Sequence, residues 1–318
     1  MTTPGFERRH IVPAGELPLD RLAPLFEACF SQPFDAAWWR WKYRAARNPS
    51  LALIEDGRAM AHYGGMPRPL WIFGERVAGM QVGDVMVHPQ ARDGLGRRGP
   101  FHRLICAFSE REVGYGRPAL IGYGFPNLRA LRLGEALGVY AAVDSVTELR
   151  WPAAPLPLAA RRADAADASL AEAIDRLWAT MKLDLRAMVA GERDAAWWRE
   201  RYAEHPAAPY ATWLLERPEP ALLVLRAHGE EALEWIDFIG PLDAFAAARD
   251  AARAIAAAEG RREVFAWLSS SAAARVRDAA AIERNIEVGV PTCVHTPGPA
   301  PETLRGRWWL MGGDTDFR

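Results

Sequence analysis

The sequence predicts a mixed α/β fold, of the α+β kind with a mixed sheet, built as two tandem copies of one domain. Three observations predict it. First, residues 35–43 read DAAWWRWKY and residues 194–202 read DAAWWRERY, an offset of 159 in a chain of 318. Solenoid units repeat every ~20–50 residues, so this period excludes an array. It fits two domains of ordinary size. Second, each half runs through helices, a set of antiparallel strands, then strand–loop–helix–strand–helix. Third, residues 152–169 (PAAPLPLAARRADAADAS) combine proline, alanine and alternating charge without periodicity, which is a linker composition. The expected boundaries are a first domain over 1–152, a linker over 153–168 and a second domain over 169–318.

The elements follow in order. Residues 8–12 read as a short strand. Leu22, Leu25, Phe26 and Cys29 recur at helical spacing over 19–30. Asp35 caps a second helix that carries Trp38 and Trp39. Short strands are expected at 51–54, 59–63 and 70–73, with turns at Asp56-Gly57 and Phe73-Gly74. Residues 82–87 are the clearest strand, and Pro89 ends it. After a loop, a helix presents Phe101, Leu104, Ile105 and Phe108 on one face. A strand at 119–124 precedes a helix that Asn127 caps and Gly138 stops, and a strand returns at 141–149. In the second half, a helix over 170–181 leads to the second WW helix. Strands are expected at 212–215, 221–226, 233–239 and 264–268, and helices at 242–258 and 272–282. The tryptophan pairs read as buried anchors for their helices. Asp314 and Asp316, in the terminal GGDTDF, read as turn caps or as contacts to a cationic acceptor, the cap being favoured.

Composition narrows the function. Half the residues are apolar and a quarter charged, the balance of a globular protein. The net charge of −1 argues against nucleic-acid and anionic-membrane partners. Cys29, Cys106 and Cys293 are scattered and odd in number, as in a reducing compartment. There is no apolar signal segment at the start and no apolar run near ~20 residues. The expected location is the cytoplasm, and the Ala and Arg richness matches a GC-rich bacterial genome. No His/Cys/Asp cluster has metal-ligand spacing, and no Ser-His-Asp or Cys-His set points to a covalent acyl-enzyme.

The chemistry concentrates in residues 83–104, GDVMVHPQARDGLGRRGPFHRL. A β-branched strand ends in proline. A loop with Gly94, Gly96, Gly99, Arg92, Arg97 and Arg98 then feeds a helix that begins Pro100-Phe101 and carries Arg103. Main-chain amides at a helix start converge on one point, glycines let backbone approach closely, and guanidinium groups add charge-assisted hydrogen bonds. This is an anion cradle. It lacks both the GxxxxGK[ST] of a P-loop and the GxGxxG of a dinucleotide fold, so a phosphate-bearing ligand other than a plain nucleotide is favoured.

Val-x-Pro after a strand, then arginine, glycine and a helix, resembles motif A of the GNAT superfamily of N-acetyltransferases. Residues 124–127 (GFPN), Ala130 and Leu137-Gly138-Val139 resemble that family's next motif. The WRWKY…NP segment over 39–49 is similar to the early helix of subfamilies related to the Eis-type acetyltransferases, which also use tandem GNAT domains. The resemblance covers residues 8–151. It reaches the second half only through the WW repeat and the element order. It implies two GNAT-like domains, with acetyl-CoA as acyl donor bound by the first.

The resemblance also implies the donor site: main chain at Met86 and Val87, then Arg92, Gly94, Gly96, Arg97, Arg98, Gly99, Pro100, Phe101 and Asn127. Two departures stand out. In the family pattern Arg/Gln-x-x-Gly-x-Gly/Ala, counting from Arg92 puts Leu95 at a glycine position. Counting back from Leu104 puts Gly99 there and lengthens the loop by about four residues. The family's tyrosine acid, seven residues after the motif's asparagine, falls on Gly134. Tyr140 and Tyr123 are the nearest tyrosines, and Tyr140 is the catalytic candidate beside Asp84, the expected base for an attacking ammonium. The corresponding second-half segment, residues 233–255, has Gly240 alone and no arginine at its turn, so that copy reads as degenerate and no longer able to bind CoA.

The expected function is acyl-CoA-dependent N-acylation, by direct attack, of an amine on a small molecule or sugar. The alternative is a non-catalytic sensing or scaffold protein on a GNAT fold. Fem-type aminoacyl transfer from tRNA also uses paired domains, but the neutral charge counts against it. A monomer and a homodimer both fit.

Overall fold

The computed structural model describes residues 9–94, 96–157, 160–165, 167–207, 209–217 and 219–317. The chain forms two compact units, each assembled from separated segments. The first holds Met1–Arg68, Ala78–Ala142 and Pro291–Pro301; the second holds Pro69–Val77, Val143–Val290 and Glu302–Arg318. The halves of the sequence and the units of the fold therefore do not coincide: a hairpin tip near residue 73 belongs to the second unit, and a late segment belongs to the first.

In the first unit the chain runs β1 (His10–Pro13), α1 (Leu19–Phe30), α2 (Ala36–Lys42), β2 (Leu51–Glu55), β3 (Arg58–Ile72), β4 (Glu75–Val87), α3 (Pro100–Glu112), β5 (Ile121–Gly124), α4 (Leu128–Ala136) and the start of β6 (Tyr140–Pro152). Strand order is β1-β2-β3-β4-β5, and the end of β13 (Ile282–Cys293) joins β5 through Thr292 opposite Tyr123. Both faces of this sheet are covered. The period-2 alternation of β2 sends Leu51 and Leu53 to the core under α3, and Ala52 and Ile54 to the core with α1 and α2. Helix α1 buries Leu22, Leu25 and Phe26, each contributing roughly 1.5–3 kcal/mol. The expected caps form: Asp35 accepts from the amides of Ala37 and Trp38, and Asn127 from that of Ala130. Gly138, at φ +72°, ends the last turn of α4 in a conformation that other residues adopt at a cost.

The second unit holds β7 (Ala160–Arg162), α5 (Ala168–Asp184), β8 (Val189–Gly191), α6 (Ala195–Trp198), β9 (Tyr210–Leu215), β10 (Ala221–His228), β11 (Ala232–Ile239), α7 (Phe245–Ala258), β12 (Glu263–Ser269), α8 (Ser270–Val276), most of β13, α9 (Pro301–Leu304) and β14 (Trp308–Trp309). Strand β6 pairs with β12, β12 runs parallel to β11, and β10, β9 and β7 follow antiparallel. Helix α6 continues as a π-helical turn over Arg199–Ala203. The core contains Trp178, Trp197, Trp198, Trp235, Phe245 and Trp309.

Three differences from the sequence reading have physical causes. The strands expected at 59–63 and 70–73 are one strand, β3, because the intervening glycines and prolines stay extended. The expected linker contains β7, whose Ala160–Arg162 pairs with Leu215–Trp213 of β9. The helix expected over 272–282 is the shorter α8; the chain turns extended at Arg277, and β13 begins at Ile282.

Candidate active site

Strands β4 and β5 are parallel from Gly79 opposite Ile121 to Val82 opposite Gly124. There β5 ends, while β4 continues for five residues to Val87. The β5-facing edge of β4 beyond Val82 has no ladder partner from β5. A 3-10 turn over Pro89–Gly94 leads away from β4. Leu95 lies outside the described residues. The amide of Gly99 then donates to the carbonyl of Gly96 (2.8 Å), and α3 starts at Pro100.

The entrance of α3 carries no side-chain cap. Gly99 is its N-cap, extended at φ −72° and ψ 161°, and no side chain caps it. Pro100 at the first position has no N–H, which leaves the first-turn amides of Phe101 and His102 without an intrahelical acceptor. Pro100 is buried and Phe101 packs in the core, so the turn is anchored from beneath. Geometry separates the four arginines, which composition could not. Arg92 turns back and donates to the carbonyl of Val87 (3.0 Å), and Arg103 reaches the carbonyl of Arg9 (3.4 Å). Arg97 and Arg98 are exposed on the turn itself. Gly96 is exposed with open space around it, and Gly94 ends the 3-10 turn. Met86 faces the core at 1% exposure, so only its main chain is available to a ligand. Asn127 spends its side-chain oxygen on capping α4.

The two residues expected to carry catalysis sit in different surroundings from those the sequence implied. Asp84 is not a free carboxylate. Its Oδ2 accepts from the hydroxyl of Tyr43 (2.6 Å) and pairs with Nζ of Lys42 (2.7 Å), and its side chain is 7% exposed. Its backbone is left-handed, at φ +44°, inside β4. His62 Nδ1 lies 2.7 Å from the carbonyl oxygen of Asp84. A carbonyl only accepts, so Nδ1 carries the proton; burial lowers the pKa of this ring and keeps it neutral. The Tyr140 hydroxyl lies 2.8 Å from that of Tyr63, and burial pushes its pKa well up. The ring of Tyr140 occupies the space beside Gly134: a Cβ at 134 would stand 2.1 Å from Tyr140 Cδ2. The glycine found in place of the expected tyrosine is thus the residue that admits Tyr140.

Lys42, Tyr43, His62 and Tyr63 were not singled out by the sequence. One signal was available, because the tyrosine closing each WW repeat stands at the same position in both copies. In the second unit Tyr202 donates to Oδ2 of Asp237 on β11 (2.8 Å). Strand β11 also carries an extra residue, since Trp235 and Asp237 face the adjacent residues Leu225 and Val224. Its parallel pairing with β12 ends at Glu234 opposite Phe265. A glycine lies against each tyrosine hydroxyl: a Cβ at Gly64 would come within 2.1 Å of Tyr43 Oη, and one at Gly313 within 2.0 Å of Tyr202 Oη.

Beyond that shared bond the second cleft is filled. Ser269 and Leu310 exchange hydrogen bonds, Leu268 bridges Met311, and a Cβ at Gly312 would stand 3.6 Å from the carbonyl oxygen of Ile236 on β11. Asp314 and Asp237 both bind Arg193, and all three side chains are buried. At the helix entrance after β11, Asp184 of α5 accepts from the amide of Leu242 (2.8 Å).

Residues 10–126 match the family described as acetyltransferase (GNAT) domain. The fold of nearly the whole chain agrees with that class. A probable N-acyltransferase from Enterococcus faecalis superposes with a TM-score of 0.64 at 13% identity, over 90% of this chain and 71% of that one. A GCN5-related N-acetyltransferase from Kribbella flavida gives 0.63 at 18% identity, over 92% and 72%. Eis1 from Mycobacterium abscessus gives 0.54 at 16% identity, over 89% and 73%. No curated protein matches in sequence. The GNAT fold suggests acyl-CoA-dependent acyl transfer; the entrance of α3 presents main-chain amides and two exposed guanidinium groups, with no capping side chain. Among the described residues no helix is long and apolar enough to cross a membrane, and no group of three or more His, Cys, Asp or Glu side chains could hold a metal ion.

Proposed function

We propose that the protein transfers an acyl group, acetyl in the simplest case, from acyl-CoA to an amine on a small molecule or sugar, and that the first unit holds the donor. One observation carries this reading. β4 outlasts its parallel partner beside an uncapped α3 entrance that exposes Arg97 and Arg98. The diphosphate binds the amides of Phe101 and His102 with the two guanidinium groups, and the thioester lies along the free edge of β4. The amine attacks the thioester carbonyl directly, and the oxygen that becomes negative is met by main-chain N–H at Met86 or Val87. The second unit is a GNAT-like copy that has lost donor binding and supports the first. The cytoplasm is the proposed location.

A panel of amines tested for thiol release from acetyl-CoA checks the activity. Turnover with at least one amine is expected. Arg97→Ala/Arg98→Ala is expected to raise the KM for acetyl-CoA about a hundredfold, since two charge-assisted hydrogen bonds of roughly 1.5 kcal/mol each are lost and 1.4 kcal/mol is tenfold.

A second reading, donor binding without turnover, is favoured by one observation. The Tyr140 hydroxyl is tied to Tyr63 and its pKa is raised, so it is a poor acid for a departing thiolate. CoA binding with no thiol release across the panel selects that reading.

A further inference from the structure

Asp84 combines three features that a proton acceptor does not need. Its backbone is left-handed in the middle of a strand, a costly conformation for a residue with a side chain. Its carboxylate is covered by a cation and a hydroxyl from the same helix end, Lys42 and Tyr43. Its carbonyl is held by a ring from β3, His62. Lys42 is itself fixed, with its ammonium 4.5 Å from the Trp38 ring centroid and its side chain 2% exposed. Gly64 leaves room for the tyrosine hydroxyl between β3 and β4.

The second unit shows which part is shared. Tyr202 and Asp237 repeat the bond in the second unit, so the bond belongs to the architecture of the strand rather than to proton transfer. The positive φ is peculiar to Asp84, on the strand whose end stays open.

We propose that Lys42, Tyr43 and Asp84 are positioning residues. Together they hold the left-handed kink of β4 at Asp84, which fixes the course of the main chain from Val85 to Val87 beside the place where the thioester carbonyl lies. The proposal rests on the acyl-CoA reading for its ligand. Asp84 then acts through the backbone and takes no proton from the substrate; Lys42 neutralises its charge in place.

Glycine at position 84 separates the two roles, because it adopts φ +44° without a clamp but has no carboxylate. The double variant Lys42→Met/Asp84→Gly also removes the cation that would otherwise be stranded. Acyl transfer with this variant is expected to lose less kcat than with Asp84→Ala, with an unchanged Kd for CoA. Asp84→Ala, which forces a side chain into the left-handed conformation without its anchor, is expected to lose about a hundredfold in kcat. A double variant as inactive as Asp84→Ala would overturn the proposal and restore Asp84 as a base. Hydrogen exchange at Val85, Met86 and Val87 tests the clamp without any substrate. Tyr43→Phe is expected to speed it at least tenfold, and unchanged exchange also overturns the proposal. Wild-type protein that neither binds CoA nor releases thiol removes the acyl-transfer reading, and the exchange result still decides whether the clamp exists.

Discussion

In both units a tyrosine one turn past a tryptophan pair donates to an aspartate on the strand whose parallel neighbour has just left it: Tyr43 to Asp84 in the first, Tyr202 to Asp237 in the second. The surroundings differ at two points. In the first unit the strand edge beyond the bond has no partner from β5, and the helix entrance has no side-chain cap. In the second, residues 310–313 lie along that edge, and Asp184 accepts from the amide at the helix entrance. The helix start attracts negative charge in both places. In the second unit that charge comes from the chain's own Asp184; in the first, the proposed acyl carrier would supply it.

The comparison can be broken most forcefully at the ion pairs. Arg193→Met strands two buried carboxylates, Asp237 and Asp314, and is expected to cost about 3–5 kcal/mol in chemical denaturation. Lys42→Met strands only Asp84, which keeps its bond from Tyr43, and is expected to cost about 1–3 kcal/mol. Equal costs would mean that the second unit's triad is no more demanding than the first unit's pair. The two glycines come next. Gly64→Ala and Gly313→Ala each push a methyl group into a tyrosine hydroxyl, at about 1–3 kcal/mol by thermal unfolding. Gly64→Ala is the worse of the two, because its Cβ also meets the carbonyl oxygen of Gly83 at 2.4 Å.

The smallest effect is a pH dependence. Burial lowers the pKa of His62 in the folded state, so only the unfolded chain takes up this proton as pH falls below the ordinary histidine value. Stability contributed by the neutral ring is present above about pH 6.5 and lost on acidification toward the depressed folded pKa, at no more than about 1.4 kcal/mol per pH unit. His62→Gln is expected to flatten that part of a stability profile; an unchanged slope would assign it to other groups.

Much of the fold was legible because its signals are local. Asp35 and Asn127 announced their helices through caps, and α1 through its apolar spacing. Strand β13 was not legible, because its partner β5 is distant in sequence and nothing in residues 282–293 encodes that pairing. The arginine- and glycine-rich turn before α3 was legible as composition. Which arginines remain on it was not, since the carbonyls that take Arg92 and Arg103 come from the fold. The occupied state of Asp84 was hidden for the same reason: Lys42 and Tyr43 lie about forty residues earlier in the chain. The double tryptophan repeat marked them only as a pattern.

The central claim is that one unit binds the acyl carrier and the other has replaced it. Calorimetric titration of CoA into the intact protein tests this directly. One site per chain is predicted, weakened about a hundredfold by Arg97→Ala/Arg98→Ala and untouched by Asp184→Ala. Two sites per chain, no binding at millimolar CoA, or a single site indifferent to the arginine substitutions would contradict it.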